Sequence, residues 1–469
     1  MKVVPLIFTV VCLGFLFQSH ALAGDGDRLY RDTLSDLLQE KGIISKEDWV
    51  RIEADREKRE QELHDRMDQE FPIAIGYGRK GFELKSKDGK FATQLQWRFQ
   101  GRFTYPERGD PDSFGDFNNN AESTFELRRV RMKIGGHGYQ PWIKYYFEVD
   151  LQPTRSSGTS GSDTRLIDWR IMLEKFKFLS LQVGQWKIDY NRERRDSSGN
   201  QQFVERSIVN TEFTIDRQVG AMLYGHLAPG TFIDSRYYAG VFTGSGRGEA
   251  NDDDNMMYFG RFQWNFLGRD LKWSQSDVEY HELPTGSVAF GAYTTIGKCT
   301  RWSSSGCGVT GTPSSLGASF TSDGNAFDGQ FRVDGMVEEF AFKWRGLSIQ
   351  HEYHWKQIKD AGRPATAAIA GAGQSKTNLM GSYSQIGYFP HYLIPVIPQP
   401  LEIAFRYAFV DPNVFVKNDQ LQEFTGAINW FFAGHKNKLT LDASHLTLDR
   451  PVGSDQHEQR VRLQWDVSF

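Results

Sequence analysis

The clearest regularity in the chain is an alternation of hydrophobic and polar residues that begins near Phe91. In segment 91–103, for example, Leu95, Trp97 and Phe99 alternate with glutamines and arginines. A period of two places successive side chains on opposite faces of a β-strand, so one row meets an apolar environment and the other meets water. The pattern predicts 16 strands, at 91–103, 125–134, 142–151, 166–176, 179–188, 216–227, 232–243, 256–267, 287–298, 330–344, 348–358, 376–389, 401–410, 420–432, 439–449 and 458–469.

The connections between these predicted strands alternate in length. Tight connections such as 139–141 and 177–178 are interspersed with long ones such as 105–123 and 189–215. Outer-membrane β-barrels show this arrangement, with short turns on the periplasmic side and longer loops outside the cell. An even number of strands also allows the sheet to close without a free edge.

Two connections on the short-turn side, 268–286 and 390–400, are longer than this pattern requires. Segment 271–282 of the first is an alternative candidate for one more strand, which would make the count odd. We interpret both connections as larger periplasmic turns. The predicted fold is therefore all-β, a 16-stranded antiparallel transmembrane β-barrel over residues 81–469, preceded by a short helical extension.

Composition allows both a soluble β-protein and a membrane barrel. Charged residues make up 24% of the chain, the net charge is -4 and the mean hydropathy is -0.52. A polar lumen dilutes the average hydropathy of a barrel, so these values do not exclude one. The aromatic content of 14% favours the barrel, because aromatic girdles form at both membrane interfaces. The last predicted strand ends on Phe469 in its outward row, which resembles the assembly signal of outer-membrane barrels.

The N-terminus has the features of a cleavable export signal over residues 1–23. Lys2 provides a positive charge, 10–17 is an apolar stretch, and Ala-Leu-Ala at 21–23 is a small-residue cleavage site. Residues 24–72 then show a helical, strongly charged pattern in which Ser45 suits a helix N-cap. We expect a periplasmic extension that is either a short coiled coil or a solvated helical segment.

The sequence gives no indication of an enzymatic active site. Removal of the signal leaves Cys299 and Cys307, which lie in a Gly/Ser-rich segment without histidines or carboxylates at metal-ligand spacing. In an oxidising compartment this predicts a loop disulfide and no metal site. The histidines are scattered, and neither G-x-S-x-G nor H-E-x-x-H occurs. We expect no catalytic site, no cofactor and no nucleic-acid partner.

The polar row of the predicted strands carries many charges into the lumen. Alternation places these basic residues there: Arg98, Arg102, Arg129, Arg131, Lys133, Lys144, Arg170, Arg261 and Arg406. It also places carboxylates there: Glu148, Asp150, Asp168, Glu174 and Glu402. One interpretation is a mixed-charge channel whose ions pair across strands. The other is an excess of arginine that selects anions in a narrow passage.

The long connection 189–215 is the strongest candidate for a functional element, since a structureless loop of this length is uncommon in a compact domain. We predict that it folds into the barrel and narrows the lumen. Its candidate constriction residues are Arg192, Arg194, Arg195 and Arg206. The surrounding motifs are GQ at 184–185, NRER at 191–194 and QFVERS at 202–207, with Asn210, Glu212, Phe213, Arg217 and Gly220. In these motifs the chain resembles the phosphate-selective porin O/P family of bacterial outer-membrane channels.

The resemblance implies a homotrimer of barrels through which anions diffuse passively, with arginines along the passage of the phosphate-selective members. Arg192, Arg194 and Arg206 match family loop positions, and Arg195 adds a further charge. Glu193 is interleaved with them, and the lysine-rich vestibule of phosphate-selective members is not evident. Phosphate selectivity therefore stays open.

The expected location is the outer membrane, with lipid and lipopolysaccharide around the barrel, small anions as permeants and the N-terminal extension in the periplasm. Two alternatives remain at this point. One is a general porin without marked selectivity. The other is a barrel that serves mainly as an adhesion or envelope-tethering scaffold.

Overall fold

The computed structural model describes residues 33–70, 73–78, 81–106, 123–151, 164–251, 254–303, 306–308, 330–361 and 376–469. The predicted export signal at 1–23 and most of the predicted long loops 105–123, 152–164, 299–329 and 359–375 lie outside these residues. The chain divides into two units, Met1–Pro72 and Ile73–Phe469. No helix in the described part of the chain is long and apolar enough to span a membrane.

The first unit contains the predicted helices, α1 (Thr33–Glu40) and α2 (Lys46–Glu70). Ser45 begins α2 with a capping box: its hydroxyl accepts the Asp48 N–H at 3.0 Å, and the Asp48 carboxylate accepts the Ser45 N–H at 3.4 Å. Such reciprocal bonds satisfy N–H groups that have no partner within the helix. The indole N–H of Trp49 donates to Asp36 at 3.0 Å and joins the two helices.

The second unit consists almost entirely of strands. They are β1 (Ile73–Gly78), β2 (Gly81–Ser86), β3 (Ala92–Tyr105), β4 (Thr124–Gly138), β5 (Gln140–Asp150), β6 (Arg165–Phe176), β7 (Leu179–Lys187), β8 (Arg217–Leu227), β9 (Ser235–Phe242), β10 (Met257–Trp264), β11 (Thr285–Gly297), β12 (Arg301–Ser303), β13 (Gly306–Gly308), β14 (Phe331–Trp344), β15 (Leu347–Asp360), β16 (Lys376–Tyr388), β17 (Leu401–Asp411), β18 (Leu421–Phe431), β19 (Asn437–Leu448) and β20 (Gln456–Ser468). Two short helical turns, α3 (Arg192–Arg195) and α4 (Ile208–Phe213), lie between β7 and β8.

Strands β3–β11 and β14–β20 form one closed antiparallel barrel. Each strand pairs with the next, and β20 closes the ring on β3 with the register Val461↔Tyr105 to Ser468↔Arg98. The prediction of a 16-stranded barrel is confirmed. Residues 265–284 between β10 and β11 contain no strand, so the alternative strand at 271–282 is wrong and the count stays even.

The hairpin of β1 and β2 was not predicted. β2 pairs with β3 at Ala92 to Leu95, on the same edge that β20 occupies further along. The chain ends beside it, where Phe469 and Trp97 exchange backbone hydrogen bonds of 2.9 and 3.1 Å. Gly81 allows this close junction because a Cβ there would lie 2.3 Å from the Leu95 carbonyl oxygen. The compact unit that contains the barrel and this hairpin begins at Ile73.

The two faces of the barrel follow the alternation. In β17, Glu402 and Arg406 are buried in the lumen, whereas Phe405 on the outer face is 60% exposed. Apolar side chains on the outer face suit contact with lipid, and buried polar ones suit a lumen that is filled by other polar groups. The strands therefore hold a dense set of charged side chains around the centre of the barrel.

Candidate functional site

The connection between β7 and β8, residues 188–216, folds into the lumen, as predicted, and we call it the constriction loop. Val209 and Phe213 in α4 are buried in a hydrophobic cluster with lumen-facing residues of the wall such as Val337. Removal of this apolar surface from water stabilises the inward position of the loop.

Carboxylates on the barrel wall hold the backbone of the constriction loop. The bonds run from the N–H of Glu193 to Glu352 at 2.7 Å, from that of Val204 to Asp442 at 2.9 Å and from that of Ile208 to Glu423 at 3.0 Å. Because a buried N–H without a partner is costly, these acceptors fix the course of the loop. The wall carboxylates on β15, β18 and β19 therefore have a structural role.

These contacts fill the lumen on the side of β14–β19. On the other side, Arg131, Lys133, Arg170 and Lys187 are partly exposed. Open space therefore remains beside strands β4–β7.

An arginine-rich cavity of about 310 Å³ lies where the passage meets the long-loop end of the barrel, and we call it the outer cavity. Its charged lining residues are Arg128, Arg129, Arg194, Arg206, Arg301, Arg406, Arg460 and Arg462, with Glu205 and Glu423. Most of these guanidinium groups also hold a carboxylate. The pairs are Arg128 and Arg129 with Glu205, Arg194 with Asp216, Arg301 with Glu212, Arg406 with Glu193 and Glu423, Arg460 with Glu458, and Arg462 with Asp442.

Arg206 differs from its neighbours in the outer cavity. Within the described residues it has no carboxylate at ion-pair distance, and it donates to the backbone oxygens of Glu193 at 2.9 Å and Asp196 at 2.8 Å. Lys187 donates to the same Asp196 oxygen at 3.0 Å. Burial, and then the nearby Arg194, lowers the pKa of Arg206 to about 10, so Arg206 is still charged at neutral pH. The guanidinium of Arg206 and the amino group of Lys187 thus converge on one backbone oxygen.

A second cavity of about 660 Å³ lies toward the short-turn end, and we call it the inner cavity. Its charged lining residues are Arg98, Lys133, Arg195, Lys272 and Lys436, with Asp196 and Glu279. Both cavities are therefore bordered by more basic than acidic side chains. Asp196, whose oxygen meets Arg206, borders the inner cavity, so the constriction lies between the two.

The structure separates the four predicted constriction residues. Arg194 and Arg206 line the outer cavity, and Arg195 lines the inner one, where it pairs with Asp189. Arg192 lines neither of them. Its guanidinium is buried and donates to the Ser287 hydroxyl at 3.3 Å and to a backbone oxygen at 2.8 Å, so it anchors α3 to the wall.

The nine predicted lumen cations have their charged groups inside the barrel. Arg98 and Lys133 line the inner cavity, and Arg129 and Arg406 the outer one. The other five are held by carboxylates: Arg102 by Glu205, Arg131 by Glu148, Lys144 by Glu174, Arg170 by Asp168 and Arg261 by Glu339. Cys299 and Cys307 are joined by a disulfide with a Cα–Cα distance of 5.5 Å.

Arg128 and Arg301 are two of the lining cations that alternation alone missed. A register shift at Gln100/Gly101 leaves Arg128 as an extra residue on β4, so Arg128 and Arg129 both reach Glu205 in the lumen. Such a bulge reverses the facing of a side chain. Arg301 comes from the disulfide-bonded hairpin β12–β13, which no strand pattern indicates.

Lys187 was missed for a different reason. Strict alternation from the exposed Val183 assigns it to the outer face, yet its ammonium group lies in the lumen. Gly184 and Gly220 face each other just before this point, and a Cβ on either one would lie 2.2 Å from a backbone oxygen. The two strands change their facing beyond these glycines, and Arg217 opposite Lys187 also turns inward to Asp168.

A closed barrel with an apolar outer face, a polar lumen and an inserted loop between two cavities defines a porin-type channel of the outer membrane. The chain belongs to the phosphate-selective porin O and P family, whose model matches residues 107–469. No curated protein matches the chain.

Solved structures with a similar barrel include the outer membrane channel DcaP of Acinetobacter baumannii, at 11% identity over 82% of this chain and 99% of that one, with a TM-score of 0.49. The anion-selective porin from Comamonas acidovorans has 8% identity over 81% and 100% of the two chains, with a TM-score of 0.48. OmpT of Vibrio cholerae has 7% identity over 81% and 98%, also with a TM-score of 0.48.

Proposed function

We propose that this porin prefers anions, and that it selects them at the constriction formed by Arg194, Arg206 and Lys187. The observation that carries the proposal is the convergence of Arg206 and Lys187 on the backbone oxygen of Asp196. A neutral oxygen does not cancel the charge of Arg206, so a hydrated anion gains Coulomb energy there and a cation loses it.

The charge balance of the outer cavity supports the same preference. Eight arginines line it, and seven carboxylates hold seven of them, so the positive charge of Arg206 remains in excess. In a narrow passage with low-dielectric walls such an excess raises the local concentration of anions. The guanidinium fork also suits the planar pairs of oxygens in phosphate and carboxylate, so oxyanions are the permeants that we expect to interact most strongly.

The assembly that we propose is a homotrimer in the outer membrane, in contact with lipid and lipopolysaccharide. The protein is exported by the cleaved signal at 1–23, and its helical unit lies in the periplasm. Family membership supports this arrangement.

Ion replacement in a planar bilayer tests the preference. Exchange of potassium for a bulky organic cation in a chloride solution leaves the single-channel current of an anion channel nearly intact. Exchange of chloride for gluconate, the matched control, removes most of it. The opposite pattern means that cations carry the current and overturns the proposal.

A general porin without marked selectivity is the second candidate, and the extensive ion pairing of the lining arginines favours it. Phosphate added to a chloride current separates the two. A site that binds phosphate through bidentate contacts blocks the current at low concentration and saturates, whereas an unselective pore shows only a shallow change with concentration.

A further inference from the structure

A second segment also enters the lumen, from the end opposite to the constriction loop. This is residues 265–283 between β10 and β11, which we call the inner segment. Gln275 and Ser276 are each 1% exposed. By contrast, Val396 in the other long connection at this end, 389–400, is 88% exposed. The inner segment is therefore folded into the barrel and is not a solvated turn.

The inner segment meets the constriction loop directly. The backbone N–H of Gln202 in the loop donates to the side-chain oxygen of Gln275 at 2.8 Å. The guanidinium of Arg192 donates to the backbone oxygen of Lys272 at 2.8 Å. Arg192 also lies 5.1 Å from the ring centre of Trp273, a cation–π distance. The inner end of the constriction loop thus rests on the inner segment.

The barrel wall holds the inner segment from the other side. Lys343 of β14 donates to the backbone oxygen of Ser276 at 2.8 Å and to the hydroxyl of Ser274 at 2.9 Å. The hydroxyl of Ser276 donates to Glu402 of β17 at 2.9 Å. Glu402 also accepts the side-chain amide of Gln202 at 2.8 Å, so one buried carboxylate binds the loop and the inner segment together. A satisfied buried network of this kind fixes one arrangement.

The inner segment also borders the open space. Lys272, Trp273 and Ser274 line the inner cavity, opposite Arg98 and Lys133 on the barrel wall. A solute that leaves the constriction therefore passes between the inner segment and the wall.

We propose that the inner segment is the second half of the constriction: Gln275 positions the loop, and Lys272, Trp273 and Ser274 form one wall of the inner passage. The proposal rests on the chain being a channel and not on its preference for anions. Without the inner segment the inner end of the loop loses its support, and the passage widens toward the short-turn end.

Chemical labelling of one cysteine tests the lining role. Cys299 and Cys307 are bonded to each other, so Ser274→Cys provides a single reactive thiol in the described barrel. A bulky uncharged methanethiosulfonate reagent, applied from the short-turn side of the full-length protein in a bilayer, is expected to cause a stepwise loss of single-channel conductance. Val396→Cys at the same end is the matched control, and its labelling is expected to leave the conductance unchanged.

Full labelling of Ser274→Cys, verified by mass spectrometry, without a conductance change overturns the lining role. If that variant does not insert into the membrane, Lys272→Cys takes its place, because this side chain is 57% exposed and tolerates replacement. Conductance is measured in symmetric salt, so the outcome does not depend on which ion carries the current. The ion preference is measured separately.

The positioning role has its own readout. Gln275→Leu removes the acceptor for the Gln202 N–H and is expected to increase open-channel current noise, because the loop is no longer held at its inner end. Gln275→Glu keeps an acceptor oxygen and is expected to restore a quiet current. Equal noise in wild type and Gln275→Leu contradicts the positioning role.

Discussion

Replacement of Arg206 by glutamine is the most specific perturbation of the proposed selectivity. Glutamine keeps a side-chain N–H for the backbone oxygens of Glu193 and Asp196, which now accept from the guanidinium. No described carboxylate loses an ion-pair partner, in contrast to a replacement of Arg194, which is bound to Asp216. Arg206→Gln therefore removes one charge from the passage with little disturbance of the loop.

Coulomb's law gives the size of the effect. An anion at contact with the guanidinium, about 4 Å away, gains about 1 kcal/mol if the surroundings resemble bulk water and about 4 kcal/mol at an effective dielectric constant of about 20. The passage holds water and neighbouring charges, so we use the lower figure. Loss of the charge takes about 1 kcal/mol of stabilisation from an anion and relieves a cation of about the same penalty, so the anion-to-cation permeability ratio is expected to fall about thirtyfold.

The assay is the zero-current potential of the variant and of wild type across a gradient at about 0.1 M salt, where the screening length is about 10 Å. Lys177→Gln removes a charge from an exposed turn between β6 and β7 and serves as the control. The difference between wild type and Arg206→Gln is expected to shrink at about 1 M salt, since the screening length falls to about 3 Å.

An unchanged permeability ratio at low salt refutes the reasoning. Arg206 would then be neutralised by groups other than the two backbone oxygens, or permeant ions would pass elsewhere. Lys187→Gln separates these cases. If neither variant changes the ratio, the passage does not run beside the Asp196 oxygen.

Three further outcomes are expected. Non-reducing peptide mapping is expected to recover Cys299 and Cys307 in one linked fragment, and free thiols at both positions would contradict the disulfide. Deletion of Phe469 is expected to lower outer-membrane levels more than synthesis, because its backbone pairs with Trp97 at the barrel seam, and normal levels would show that the residue is dispensable. Gly81→Ala places a Cβ 2.3 Å from the Leu95 oxygen, at a φ of +92°. The resulting strain is expected to lower the stability of the folded barrel by about 1–3 kcal/mol or more. The temperature at which the folded band disappears on a gel is expected to fall, whereas Gly78→Ala, which has open space around it, is expected to leave that temperature unchanged.

The barrel was predictable because lipid on one side and a polar lumen on the other impose a period of two on every strand. The insertion of the constriction loop was also predictable, because a structureless connection of this length is usually functional and its motifs resemble the porin O/P family. Local irregularities within the strands could not be predicted. The bulge that turns Arg128 inward depends on pairing between β3 and β4, and no single-strand pattern contains that information.

The other features that the sequence did not predict depend on contacts between residues that are far apart in the chain. Segment 265–283 resembles a solvated turn in sequence, and only the carboxylate of Glu402 and the ammonium of Lys343, both distant in sequence, explain why it lies inside. Similarly, Arg192 has the same local context as Arg194, but the wall residue Ser287 makes it an anchor. The predicted anion preference stays a prediction.

The sign of the zero-current potential of the wild-type channel tests the central claim most directly. Across a tenfold potassium chloride gradient, a channel that passes only anions reaches about 59 mV in magnitude, with the sign set by chloride. We expect the anion sign and a substantial fraction of this value for the purified full-length protein in a planar bilayer. A potential of zero or of the cation sign would contradict the account, because it would show that carboxylates neutralise the arginines and lysines of the passage.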